Sequence, residues 1–97
     1  MAKGYWVVQV TVDDPQVYQR YREAVGAALE PYGGRFIVRA GQQETPEGAA
    51  RPRTVVLEFP DYQAALDCYH SALYQEVKAI RLSAAEADLT IVEGFDV

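Results

Sequence analysis

The stretch YWVVQVTVDDPQVYQRYREAVGAALEPYGGRFIVRA, Tyr5 to Ala40, decides the fold. Its first eight residues, through Val12, are largely β-branched or aromatic, which is the composition of a strand. The next four, DDPQ, change the period. Asp13 or Asp14 can accept a hydrogen bond from a free helical N–H, and Pro15 suits the first helical position, where its missing N–H is harmless. Val17, Tyr18, Tyr21, Val25, Ala28 and Leu29 then fall on one helical stripe. PYGG stops the helix, because Gly33 or Gly34 can take the left-handed backbone that closes a helix end. RFIVRA, Arg35 to Ala40, is a second strand.

Outward from this β-α-β unit the order repeats with a different join. GQQETPEGAARPR, Gly41 to Arg53, holds two prolines and two glycines without a period, so it is a loop. TVVLEF, Thr54 to Phe59, is a third strand. Asp61 caps a helix with Tyr62, Ala65, Leu66 and Tyr69 at helical spacing, and Ser71 restarts it as a second segment carrying Leu73, Tyr74, Val77 and Ile80. ADLTIVEG, Ala87 to Gly94, is the last strand. The order β-α-β-β-α-β is the split βαβ, ferredoxin-like arrangement of the α+β class: one domain over residues 1–97, with four antiparallel strands and the helices on one face.

Side chains alternate across a sheet, so strand parity sorts the residues into two faces. Trp6, Val8, Val10, Val12, Phe36, Val38, Val55, Leu57, Phe59, Leu89 and Ile91 form an apolar set that belongs under the helices. Tyr5, Val7, Gln9, Thr11, Arg35, Ile37, Arg39, Thr54, Val56, Glu58, Asp88, Thr90 and Val92 form a mixed set. That face is too apolar for water and too polar for a dry core. A second subunit covering it is one explanation; a ligand cavity enclosed by two such faces is the other. Keeping both apolar sets on one side requires paired residues of strands two and three to sum to an odd number. A sum of 93 sets Arg35 opposite Glu58, and a sum of 97 sets Arg39 there. Either pair satisfies both charges or forms a clamp for an anionic group.

Composition bounds the partners. Ninety-seven residues make one domain, and a chain this short hides only about 60–65 % of its unfolded surface. Apolar residues are 49 % and charged residues 24 %, ordinary for a globular protein. A net charge of −5 argues against nucleic acid and anionic membranes, which need clustered cations. One cysteine makes no internal disulfide, and MAKGYWVVQV lacks the apolar core of a signal peptide, so a soluble cytoplasmic protein is expected. One histidine and scattered carboxylates make no transition-metal set. Gly33-Gly34 lies between helix and strand, the reverse of a phosphate loop, so no cofactor is expected.

The candidate chemistry is sparse. Cys68 and His70 stand two apart on a helix and do not face one another, which excludes a nucleophile–base dyad. Cys68 reads as a small buried hydrophobe. His70, in a last helical turn, interacts with the exposed carbonyls, or serves as the weak candidate for a catalytic base. Tyr18, Tyr21, Tyr62 and Tyr69 lie on helical stripes and Trp6 on the apolar face, all core positions. Tyr74 packs inward or looks across the dimer. Tyr5, Arg35, Arg39, Glu58 and Asp88, with His70, are the candidate ligand-binding residues of the mixed-face cavity. Arg51 and Arg53 read as a solvated loop or guards of its mouth, and Arg81 and Lys78 as the positive end of the last helix.

The tracts KGYW, YGGRFIVR, RPRTVVLEFPD, CYHSALYQEVKAIR and AEADLTIVEG, taken in this order, resemble the family called domain of unknown function 1330 over nearly the whole chain. The resemblance implies the dimeric α+β barrel superfamily, in which two ferredoxin-like subunits pack sheet against sheet. The family has no established activity, while the superfamily includes cofactor-free monooxygenases, lactone isomerases and haem-dependent enzymes. No catalytic histidine of that superfamily carries over to His70. Three classes of function stay open: a homodimer binding a small organic, in one version anionic, molecule; a cofactor-independent enzyme on small oxygenated or aromatic compounds; and a structural or regulatory dimer.

Overall fold

The computed structural model describes residues 2–96 and is a two-layer slab of 38 × 36 × 17 Å. Strand β1, Gly4–Val12, leads into helix α1, Pro15–Leu29, and a short 3₁₀ turn, Glu30–Tyr32. Strands β2, Arg35–Arg39, and β3, Arg53–Phe59, follow; helices α2, Tyr62–His70, and α3, Ala72–Leu82, then lead to β4, Ala85–Glu93. The sheet order is β2-β3-β1-β4, with every neighbouring pair antiparallel. This is the ferredoxin-like arrangement expected from the order of elements.

The stop and start signals act as their chemistry requires. The Asp14 carboxylate accepts from the Gln16 and Val17 amides, and Pro15 occupies the first turn. Asp61 accepts from the Ala64 amide at 2.7 Å. Ser71 breaks the second helix with an extended backbone and caps the new segment by accepting from the Tyr74 amide. Gly33 closes the 3₁₀ turn at φ +72°, a conformation that glycine adopts without a Cβ clash. At Gly4 the requirement is space, since a Cβ there would strike the backbone carbonyl of Asp61.

The core lies between the sheet and the helices. Trp6, Phe59, Cys68 and Tyr74 are fully buried there. The Trp6 ring packs at 4.8 Å from Tyr74 and 5.1 Å from Phe59, and its Nε1 donates to the Ala65 carbonyl at 2.9 Å. Tyr74 turns inward. Tyr62 and Leu73 depart from the expected stripes and are exposed. Each lies near its helix N-terminus, where the positions reaching the sheet are Ala65 and Cys68 in α2, and Tyr74 and Val77 in α3.

The largest correction is in β2. Phe36 pairs with Leu57, but Val38 pairs with Val56, so Ile37 is an extra residue that shifts the register. Such a bulge reverses the alternation beyond it. Val38 therefore joins the open face, and Arg39, opposite Val55, crosses to the helix side.

Candidate functional site

The six candidates of the expected mixed-face cavity separate into four places. Three meet as a cluster. Register sets Glu58 between Tyr5 on β1 and Arg35 on β2. Arg35 Nε and Nη2 donate to Glu58 Oε1 at 3.0 and 2.7 Å, and the Tyr5 hydroxyl donates to Oε2 at 3.1 Å. Arg35 thus grips the carboxylate through two of its nitrogens, an internal ion pair whose arginine side chain is otherwise largely exposed. Arg35 and then Tyr5, as hydrogen-bond donors, hold the Glu58 carboxyl below its ordinary range against partial desolvation. Burial and the bond to Glu58 raise the Tyr5 phenol, which stays protonated.

A pH dependence follows with a definite sign. A carboxyl depressed in the folded state stabilises above its unfolded titration, near about 4.3, and that contribution is lost as pH falls through the lower folded value. Glu58→Gln should flatten the acid limb of stability between roughly pH 5 and pH 3, read as urea midpoints. Equal slopes for variant and parent would show that the pair carries no weight.

Asp88 lies two rows away on the same face, beside Gln9 and beyond the Val7–Val56 row, in a second network built on Arg51. Arg51 Nε donates to Asp88 Oδ2 at 3.0 Å, and Nη1 donates to Thr11 Oγ1 at 3.0 Å and to Glu86 Oε2 at 3.3 Å. Its backbone amide donates to Gln9 Oε1 at 2.8 Å. The loop read as solvated thus folds back onto the open face, with Arg51 as its anchor. Nothing in composition marks this, because the partners come from β1 and β4.

His70 and Arg39 are on the other side of the sheet. His70 ends α2, exposed, its ring edge-on to Tyr69 at 5.2 Å. This takes it away from Tyr5, Arg35 and Glu58, since α2 packs on the opposite face through the Trp6–Ala65 bond. Cys68 is buried, with Sγ 3.4 Å from the Ala28 carbonyl, and burial pushes its thiol up to about 12. No group of three or more His, Cys, Asp or Glu side chains comes together among the described residues.

Arg39 leads to the enclosed space that parity did not anticipate. It stacks on Phe36, its guanidinium carbon 4.0 Å from the ring centre, and borders a cavity between the sheet and helices α1 and α3. The cavity is about 30 Å³ as it stands, room for roughly one or two waters. Val8, Val55 and Leu57 from the sheet and Val25 from α1 line it, with the rings of Trp6, Tyr18 and Tyr21. Arg22, Arg53 and Arg81 line it with Arg39. Arg81 is only 5 % exposed. Burial works against its charge, and the oxygens of Tyr74 and Tyr21 outweigh that, so the guanidinium stays charged. The hydroxyls of Tyr21 and Tyr74 are hydrogen bonded at 3.0 Å.

Sequence reasoning read Arg53 as a solvated loop residue or a guard of the cavity mouth, and Arg81 as the positive end of a helix, though both carried a further signal. Arg53 has the parity of Val55, Leu57 and Phe59, and β3 begins at it. Arg81 stands seven residues after Tyr74 and four after Val77, on the buried stripe of α3. A charge in the last turn reads as a dipole partner until the neighbouring helix is seen to cover it.

Fold and site together define a ferredoxin-like α+β protein with a small cavity between its layers. The chain belongs to the family described as Domain of unknown function (DUF1330), which matches residues 3–95. No curated protein matches it significantly. A protein of unknown function from Rhodopseudomonas palustris is similar over 99 % of this chain and 85 % of its own, with 15 % identity and a TM-score of 0.77. SnoaB, a cofactor-independent oxygenase from Streptomyces nogalater, is similar over 100 % of this chain and 97 % of its own, at 11 % identity and a TM-score of 0.67. A protein of unknown function from Bacteroides fragilis, described as dimeric with a ferredoxin-like fold, covers 94 % and 95 % at 13 % identity and a TM-score of 0.61. At these identities the likeness is one of fold. No helix among the described residues is long and apolar enough to cross a membrane.

Proposed function

We propose that this protein is a homodimer, paired through its open sheet face, that binds a small organic molecule in the cavity between sheet and helices. The observation that carries the binding reading is the cavity wall: apolar on most sides, with the buried Arg81 in it and no carboxylate among its lining residues. An apolar hollow with a few convergent polar groups is the usual form of a small-molecule site. Pairing is supported by the open face, where Val7, Ile37, Val38 and Val92 are 37 %, 45 %, 40 % and 43 % exposed, with Val7 and Val38 in the row between the Glu58 and Arg51 clusters and Val92 beside Tyr5. An apolar band rimmed by polar groups marks an interaction surface, and a two-fold axis lets the same band cover itself. The dimeric relative from Bacteroides fragilis is consistent with this.

Amide NMR with small aromatic compounds, neutral and anionic, tests the site. At least one should give saturable shifts at Val55, Leu57 and Arg81 while Tyr5 and Val56 stay still. Shifts confined to the open face, or none with any compound, would overturn it.

Catalysis without a cofactor is the second reading, and one observation favours it. The Tyr21–Tyr74 hydroxyl pair lies at a cavity that also holds a guanidinium, an arrangement able to polarise a carbonyl oxygen. In this reading the tyrosines and Arg81 take the role first considered for His70 and Tyr5.

A further inference from the structure

Four of the nine basic residues, Arg22, Arg39, Arg53 and Arg81, line this cavity, in a chain whose net charge is −5. The two more buried ones are incompletely partnered. Arg81 Nε and Arg53 Nε are buried without a hydrogen-bond partner, and neither residue makes an ion pair among the described residues. Their guanidinium carbons lie 5.7 Å from the centre of the Tyr21 ring and 5.3 Å from that of Tyr18. A buried guanidinium facing only π-faces and phenols is costly, and such charges are ordinarily paired.

The other polar groups at the cavity point to the same deficit. Burial, then the adjacent Tyr74, raise the Tyr21 phenol far above its ordinary range, so it keeps its proton. Of the two hydroxyls, one donates to the other and one proton remains to be donated outward. Beyond the two phenol oxygens, the site offers donors in excess and has no carboxylate in its wall. Its remaining wall is aliphatic and aromatic.

We propose that the cavity takes a small monocarboxylate with an apolar, aromatic or branched body, its carboxylate held by Arg81 and Arg53 and its body against Val8, Val25 and Val55. This rests on the reading of the cavity as a ligand site. One buried guanidinium fork with a second beside the wall suits a single planar anion, which it grips bidentately. A phosphate dianion brings more charge and a larger hydration shell into a wall that is mostly carbon. Entry requires the exposed Arg39 and Arg22 to swing from the rim, since the closed space holds little more than water.

The test is calorimetric titration of the full chain with benzoate, 3-methylbutanoate and indole-3-acetate, with benzamide and inorganic phosphate as controls. At least one acid should bind saturably, benzamide more weakly than benzoate, and phosphate should not displace the acid. Arg81→Met should weaken binding at least about 30-fold, and Arg81→Lys less, because it keeps the charge and loses the fork. Without ligand, Arg81→Met should melt at or above the parent, because it removes an unpaired buried charge. A merely structural arginine, serving the helix terminus and tyrosine rings, predicts a lower melting temperature and unchanged binding, and that result overturns the proposal. Should the Met variant not fold, Arg53→Gln and Arg81→Lys must still weaken the acid. Equal binding of benzamide and benzoate removes the carboxylate and leaves the cavity; displacement by phosphate removes the apolar body. No binding by any acid or by benzamide removes both readings.

Discussion

Trp6→Ala is expected to destabilise the protein by about 3–5 kcal/mol, the range for deleting a large buried aromatic side chain. Trp6 is 1 % exposed and touches three aromatic residues from β3, α2 and α3: Phe59, Tyr69 and Tyr74. Its removal leaves a void where sheet and both later helices meet. It also deprives the buried Ala65 carbonyl of the indole donor. Against the 5–15 kcal/mol or so typical of a domain, such a loss leaves little margin. Urea unfolding at fixed protein concentration measures it, because coupled association makes midpoints concentration-dependent. Trp6→Phe should cost less, since the ring packing is partly kept and the hydrogen bond is not. A loss below about 1 kcal/mol for the alanine variant would mean that the layers are not held together at Trp6.

Val56→Asp is expected to dissociate the proposed dimer without unfolding the chain. Val56 is at the middle of the open face, paired to Val7 on β1 and Val38 on β2. A two-fold interface repeats the substitution, so two carboxylates enter the same apolar band. Desolvating each costs several kcal/mol, and they repel. Sedimentation equilibrium should change from twice the chain mass to the chain mass, while far-ultraviolet dichroism stays as in the parent because the helix-side core is untouched. A parent protein that sediments as a single chain, or a variant that remains paired, would place the interface elsewhere.

The second helix and its break show how local chemistry is legible. Asp61 and Ser71 each satisfy backbone donors that a helix start leaves free, and no distant residue is needed to know it. The Arg35–Glu58 pair was legible for a related reason: alternation and a hairpin leave few registers, and one of the two considered is present. The same rule failed one turn of the pleat later. Ile37 looks like any strand residue, and the bulge shows only in the register with β3. That single extra residue carries Arg39 to the other face, away from Tyr5, Arg35 and Glu58.

By itself the sequence determined the order of elements, their caps, the apolar face and the surplus of apolar side chains on the open one, because these depend on period and on neighbours within a few positions. The tertiary structure alone decided where charge is enclosed. Arg81 belongs to α3, Tyr21 to α1 and Arg53 to β3, and their meeting around a hollow without a carboxylate depends on how α1 and α3 lie across the sheet. Burial of a charge is a property of everything packed around it, and spacing along one helix does not encode it.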